Sequence, residues 1–321
     1  MTRTPAPTTT RIGFVVIAHG DRRVLHRLVD RLADAQSTVG IAVHYDRKSG
    51  ELDVPRRLTD LVAVVEAPLD VKWGDWTLIE AVARGIHTLD ACFPEHNWTI
   101  LLSGQDYPTR ALSELACFLA DTNADAFIEC RRAIDNWGEE EVSHRYGYDY
   151  AALPGWLPAR YICSTARRLP FLNAYRLEGG KNCIGIRRRR DLVALLGGSG
   201  WFIANRRATA AIVRAAEDDR TIRLFRRSII PDESFFATVL AQADCEIVAQ
   251  RWQYCRFARE GAPHPDILTE AHLPEIVASR AFFARKCTWD TSAGLLDALD
   301  LRLRPMLRYA GRPEEGTALL G

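Results

Sequence analysis

The apolar positions in the first 130 residues follow two alternating rhythms. Residues 12–18, I-G-F-V-V-I-A, are an unbroken apolar run that stops at His19-Gly20-Asp21. Such a run predicts a strand buried on both faces. Val24, Leu25, Leu28, Val29 and Leu32 then recur at helical spacing, which predicts an amphipathic helix. The same reading places strands at 39–45, 61–65, 98–102 and 126–129, and helices at 78–89 and 111–120. Strands alternating with helices predict an α/β fold with a mostly parallel central sheet flanked by helices.

Periodicity weakens over 131–195, where Arg, Trp, Tyr, Gly and Pro are frequent. This predicts a long irregular insertion, and long loops in compact domains tend to carry function. Order returns at Gly197-Gly198-Ser199-Gly200, which leads into Trp201-Phe202-Ile203 and a helix at 207–216. A helix at 231–242, strand-like stretches at 245–249 and 251–254, a short helix at 272–278 and a last amphipathic helix after residue 286 complete the chain. The organisation expected is a disordered tail at 1–10, a Rossmann-like half at 11–130, the insertion at 131–195 and a second half at 196–321, all within one domain.

In open α/β sheets, ligands bind beyond the carboxyl ends of the strands. His19, Asp46, Asp106 and Glu129 all stand at such ends. One polar residue there is an ordinary turn former; four on one predicted rim point to a site. The glycine fingerprint G-x-G-x-x-G is missing, which counts against a dinucleotide-binding dehydrogenase. A further carboxylate pair, Asp232-Glu233, follows Pro231 and opens an apolar stretch. Proline suits the first helical turn, and acidic residues there favour the helix dipole. The pair therefore either serves a site at the helix mouth or only caps the helix.

Composition narrows the classes. The chain has 321 residues, 47% hydrophobic and 26% charged, with a net charge of +1. That suits a soluble globular protein and disfavours nucleic acid as a partner. The run Arg187-Arg188-Arg189-Arg190 reads as a solvated face. Only Lys48, Lys72, Lys181 and Lys286 are lysines among 42 Lys and Arg residues, so a lysine at a site stands out. The eight cysteines form no C-x-x-C pair, which speaks against structural zinc. The first ten residues have no apolar core, and no apolar run is long enough to span a bilayer. A reducing, cytoplasmic setting is expected.

Several segments fall in a recognisable order. They are V-V-I-A-H at 15–19, H-Y-D-R-K-S at 44–49, K-W-G at 72–74 with L-I-E-A at 78–81, L-L-S-G-Q-D-Y-P at 101–108 and F-I-E at 127–129. G-G-S-G-W-F at 197–202 with N-R-R at 205–207, P-D-E-S-F-F-A-T-V-L at 231–240 and F-F-A-R-K at 282–286 follow. Together they resemble the core-2/I-branching glycosyltransferases (glycosyltransferase family 14), which also contain the peptide O-xylosyltransferases. The likeness covers roughly residues 11–290.

The resemblance implies a GT-A fold, a nucleotide-sugar donor, inversion at the anomeric carbon and independence from divalent metal. The sequence has no D-x-D, the motif with which most GT-A enzymes hold a metal. A metal-free enzyme must meet the departing diphosphate with fixed cations. Arg285 and Lys286 are the candidates, and Arg256 or Arg259 a second arginine. Glu233 is the expected general base, because some family members have alanine at the position of Asp232 while the glutamate is shared. Asp232 then caps the helix or orients Glu233. His19 and Asp46 correspond to the nucleoside site, and Asp106 to the ribose or donor sugar. Trp201 is a donor-side candidate for stacking on a sugar face. Glu129, Trp252 and Tyr254 fall to the acceptor side. No cofactor is expected beyond a UDP-sugar carrying N-acetylglucosamine or xylose, with a carbohydrate, peptide or small-metabolite acceptor. The competing reading is a non-catalytic nucleotide- or carbohydrate-binding protein of the same fold.

Overall fold

The computed structural model describes residues 10–154, 169–176, 182–259 and 264–303. The expected tail at 1–10 falls almost wholly outside them. The first apolar run is strand β1 (Ile12–Ala18), buried along its whole length. Its side chains divide by parity. Ile12, Phe14, Val16 and Ala18 enter one core, while Val15 and Ile17 enter another. This is why the run shows no alternation: each face of the strand meets a helical layer.

Helix α1 (Arg22–Ala33) starts at the N-cap Asp21, whose side chain accepts from the Arg23 amide, and buries the five predicted apolar residues. Strands β2 (Thr38–Tyr45) and β3 (Val62–Val64), helix α2 (Thr77–Cys92), strands β4 (Trp98–Ser103) and β5 (Tyr107–Pro108), helix α3 (Leu112–Ala120) and strand β6 (Ala126–Ile128) follow. Short strand β7 (Arg131–Arg132), helix α4 (Ala133–Tyr146), and strands β8 (Tyr148–Ala152), β9 (Leu172–Arg176) and β10 (Asn182–Arg187) come next. The 131–195 stretch is thus more regular than its weak periodicity predicts. Strands β8, β10 and β9 form an antiparallel three-stranded sheet. The signal is faint because α4 has a non-helical break at Gly138 and little amphipathic character, so no apolar stripe marks it.

The last part comprises β11 (Leu196–Gly197), β12 (Phe202–Asn205), α5 (Arg206–Glu217), α6 (Asp219–Phe225), α7 (Asp232–Gln242), β13 (Ile247–Val248), β14 (Gln253–Cys255), α8 (Leu273–Ser279), β15 (Phe283–Arg285) and α9 (Trp289–Leu303). The central sheet has seven strands in the order β13-β6-β12-β4-β1-β2-β3. All its pairings are parallel except those of β12, which runs antiparallel to β4 and β6. Strands from both halves of the sequence interleave, so the two halves share one sheet. Helix α7 is apolar on all sides and buries Ser234 to Leu240, as an interior helix does. No helix among the described residues is long and apolar enough to cross a membrane.

Candidate functional site

Strands β1, β2, β4 and β6 point the same way, so their carboxyl ends share one rim. His19, Asp46, Asp106 and Glu129 all lie just past those ends. Because β12 is reversed, its entry rather than its exit reaches that rim, and it brings the 197–201 loop there.

His19 is exposed at the rim. Loss of water around the ring, then the Lys286 and Lys48 ammonium groups, lower its pKa, with Asp46 opposing. Lys48, Lys286 and Asp46 are thus all within electrostatic reach of the His19 ring. Asp46 itself is 2% exposed. Its oxygens accept from the Lys48 amide at 3.0 Å and the Val71 amide at 3.1 Å, and Lys48 Nζ lies 3.3 Å away. Asp106 is fully buried. The Ser103 amide donates to its Oδ2 at 2.5 Å and Gln253 Nε2 to its Oδ1 at 3.2 Å. Burial pushes its carboxyl above the usual range, and Arg285 opposes that. Both aspartates are buried and brace the loops of the rim.

Arg285 ends β15, with Nε 3.8 Å from Asp106 Oδ1. Its guanidinium carbon lies 4.3 Å from the centroid of the Trp201 ring, so one tryptophan face is already covered by a cation. Its Nε and Nη1 are buried without a hydrogen-bond partner. Buried donors of a charged group left in that state are costly, and an incoming anion would satisfy them. Trp201 also connects this cation to α7. A Cβ on the preceding Gly200 would stand 3.3 Å from the Asp232 carbonyl oxygen.

Glu233 lies in the first turn of α7 and is partly exposed. Arg145 Nη1 donates to its Oε2 at 2.6 Å, while Arg145 Nε donates to Glu141 at 2.6 Å. Burial raises the Glu233 pKa, and Arg145 holds it down. The Gly198 amide donates to the Glu233 carbonyl at 3.0 Å. Any Cβ at Gly198 would overlap the Glu129 carbonyl, so a glycine is required there. Glu129, the glycine loop and Glu233 are thereby locked together. Asp232 is not the helix cap: Pro231 occupies that position and no side-chain capping bond forms. Asp232 Oδ1 is buried and unpartnered, and burial followed by the Glu233 charge pushes the carboxyl up to about 7.

The other expected site residues have partners of their own. Trp252 packs its ring against Phe118, Phe127 and Phe282, with centroids 5.0, 6.2 and 5.3 Å away. The ring thus packs, partly buried, against an aromatic cluster of the core. Tyr254 alternates with Gln253 and Cys255 along β14, so it faces away from the Asp106 side. Its hydroxyl donates to Glu275 at 2.5 Å. Glu129 is held by Arg251, whose Nε donates to Oε2 at 3.0 Å. Arg256 is engaged by Glu275 at 3.2 Å and Asp266 at 3.6 Å. Among the described residues no group of three or more His, Cys, Asp or Glu side chains is arranged to hold a metal ion.

The profile of the Core-2/I-Branching enzyme family matches residues 12–277. The chain belongs to this family. Curated relatives include xylosyltransferase 1 of Rattus norvegicus, 27% identical over 73% of this chain and 26% of the relative. Xylosyltransferase 2 of Mus musculus is 25% identical over 96% of this chain and 35% of the relative. The chain thus spans about a quarter to a third of the length of these relatives. Among solved structures, 4-diphosphocytidyl-2C-methyl-D-erythritol synthase from Anaerococcus prevotii aligns over 85% of this chain and 97% of its own. Its TM-score is 0.35 and its identity 10%.

Set against this family, the rim contains residues that the motifs did not reveal. Arg145, Arg251 and Gln253 grip Glu233, Glu129 and Asp106. Glu141 and Arg145 stand four apart, a helical ion-pair signal legible in the sequence. The partner across the site is 88 residues away, and nothing local announces it.

Proposed function

We propose that this chain is an inverting, metal-independent glycosyltransferase that moves N-acetylglucosamine or xylose from a UDP-sugar to an acceptor hydroxyl. Membership in the Core-2/I-Branching family and the xylosyltransferase relatives support the reaction class. One observation carries the assignment: buried Arg285 donors without a hydrogen-bond partner, joined through Trp201 and Gly200 to the helix turn bearing Glu233. In the reaction, the acceptor oxygen attacks the anomeric carbon from the face opposite the diphosphate. Glu233 takes the hydroxyl proton, the bond from that carbon to the phosphate oxygen breaks, and UDP leaves with the electron pair. Attack from the opposite face turns an α-linked nucleotide sugar into a β-glycoside. General-base help of this kind contributes roughly 10²–10⁴ in rate. Arg285 and Lys286 meet the charge developing on the leaving group, the part a metal plays in most related folds.

The test is UDP release from UDP-xylose and UDP-N-acetylglucosamine, with and without EDTA. One donor should be hydrolysed slowly without acceptor, at the same rate in EDTA. Tight UDP binding with no donor consumed would make the chain a binding protein. A rate abolished by EDTA and restored by manganese would overturn the role of the fixed cations.

A further inference from the structure

Glu233 meets opposing demands. It must be dry enough to act on a bound hydroxyl, yet ionised to accept the proton, and burial works against ionisation. The charged and titratable groups around it come from several elements. Asp232 adjoins it on α7, Glu129 follows β6 and is itself paired with Arg251, and Tyr175 projects from β9. Helix α4 contributes Glu141, Arg145 and Tyr146. Arg145 is the cation bonded to it, at 2.6 Å.

Arg145 is itself firmly held. Its side chain is 14% exposed, Glu141 takes its Nε, and its guanidinium carbon lies 4.8 Å from the centroid of the Trp137 ring. Gly138 interrupts α4 with φ 81° and ψ 159°, between the turn that carries Trp137 and the turns that carry Arg145. Trp137 in turn presses on Gly197, where any Cβ would overlap the ring. A chain of contacts therefore runs from the glycine loop through Trp137 and Arg145 to Glu233.

We propose that Arg145 is a positioning residue for the transfer reaction. Its guanidinium, braced by Trp137 and Glu141, keeps the Glu233 carboxylate charged and aimed at the acceptor hydroxyl. The proposal rests on Glu233 being the base, and it assigns the irregular region a purpose: α4 exists in this position to hold that carboxylate.

Two readouts test it on the full chain. Carboxyl carbon NMR follows the Glu233 titration without any donor, with Glu233→Gln identifying the signal. Arg145→Gln should move the midpoint upward by about one to three pH units, and Arg145→Lys, which keeps the charge, by less. With the donor that turns over, the acid limb of kcat/KM should move up in parallel, with rate recovered at higher pH and UDP affinity unchanged. A midpoint unmoved in Arg145→Gln overturns the proposal. If that variant does not fold, Arg145→Met carries the same test, and a midpoint equal to wild type overturns the proposal. A Glu233→Gln enzyme that keeps full activity would instead remove the base assignment, whatever the titration shows.

Discussion

The strand-end rim and the carboxylate side around Glu233 are built by different means. On the rim, each residue is placed by the strand it follows. His19, Asp46 and Asp106 sit one to three positions past β1, β2 and β4, and local amides fix the two aspartates. On the carboxylate side, the groups that matter are joined across long stretches of chain. Arg145 and Glu233 are 88 residues apart, and Arg251 and Glu129 are 122 apart. The first kind of site is written in short segments; the second exists only after folding.

The comparison breaks most sharply at Glu233. Glu233→Gln should cut transfer by about 10²–10⁴ while UDP still binds, measured by calorimetry beside a rate assay. Equal loss of binding would mean the two sides are one. Arg285→Ala should lower transfer by about 10²–10³ and weaken UDP binding as well; unaltered UDP affinity would remove it from the donor side. Trp252→Ala sharpens the boundary from the other direction. It should cost about 3 kcal/mol of stability as a core truncation, with KM for acceptor unchanged in the folded fraction. A raised KM at wild-type stability would return Trp252 to the cleft.

The smallest effect concerns Asp232. Its carboxyl is raised from 3.8 to about 7. The folded state thus keeps a proton that the unfolded chain releases between those values. Stability contributed by this group is complete below pH 3.8 and declines as pH rises through about 7. Asp232→Asn should flatten that decline in urea midpoints measured across the window. A slope identical to wild type would show that Asp232 titrates normally.

The same contrast explains what the sequence revealed. Apolar periodicity placed β1, β2, β4, α1, α2 and α7 to within a few residues, because each buries a continuous stripe or face. It missed the order within 131–195, where α4 has no such stripe and the β8-β10-β9 sheet is held partly by polar groups, such as Arg190 on Asp149. Strand ends placed four polar residues on one rim, yet they could not tell exposed His19 from buried Asp46, since both follow a buried strand. The surroundings of Trp252 were hidden for a related reason. Tryptophan reads the same in a core as in a sugar site until its neighbours Phe118 and Phe282 are known.

The reversal of β12 has a consequence for how this scaffold diversifies. The segment entering the reversed strand meets the segment leaving β6, since a Cβ on Gly198 would overlap the Glu129 carbonyl. A change in that entry loop is therefore transmitted to the exit of a parallel strand, and the two must vary together.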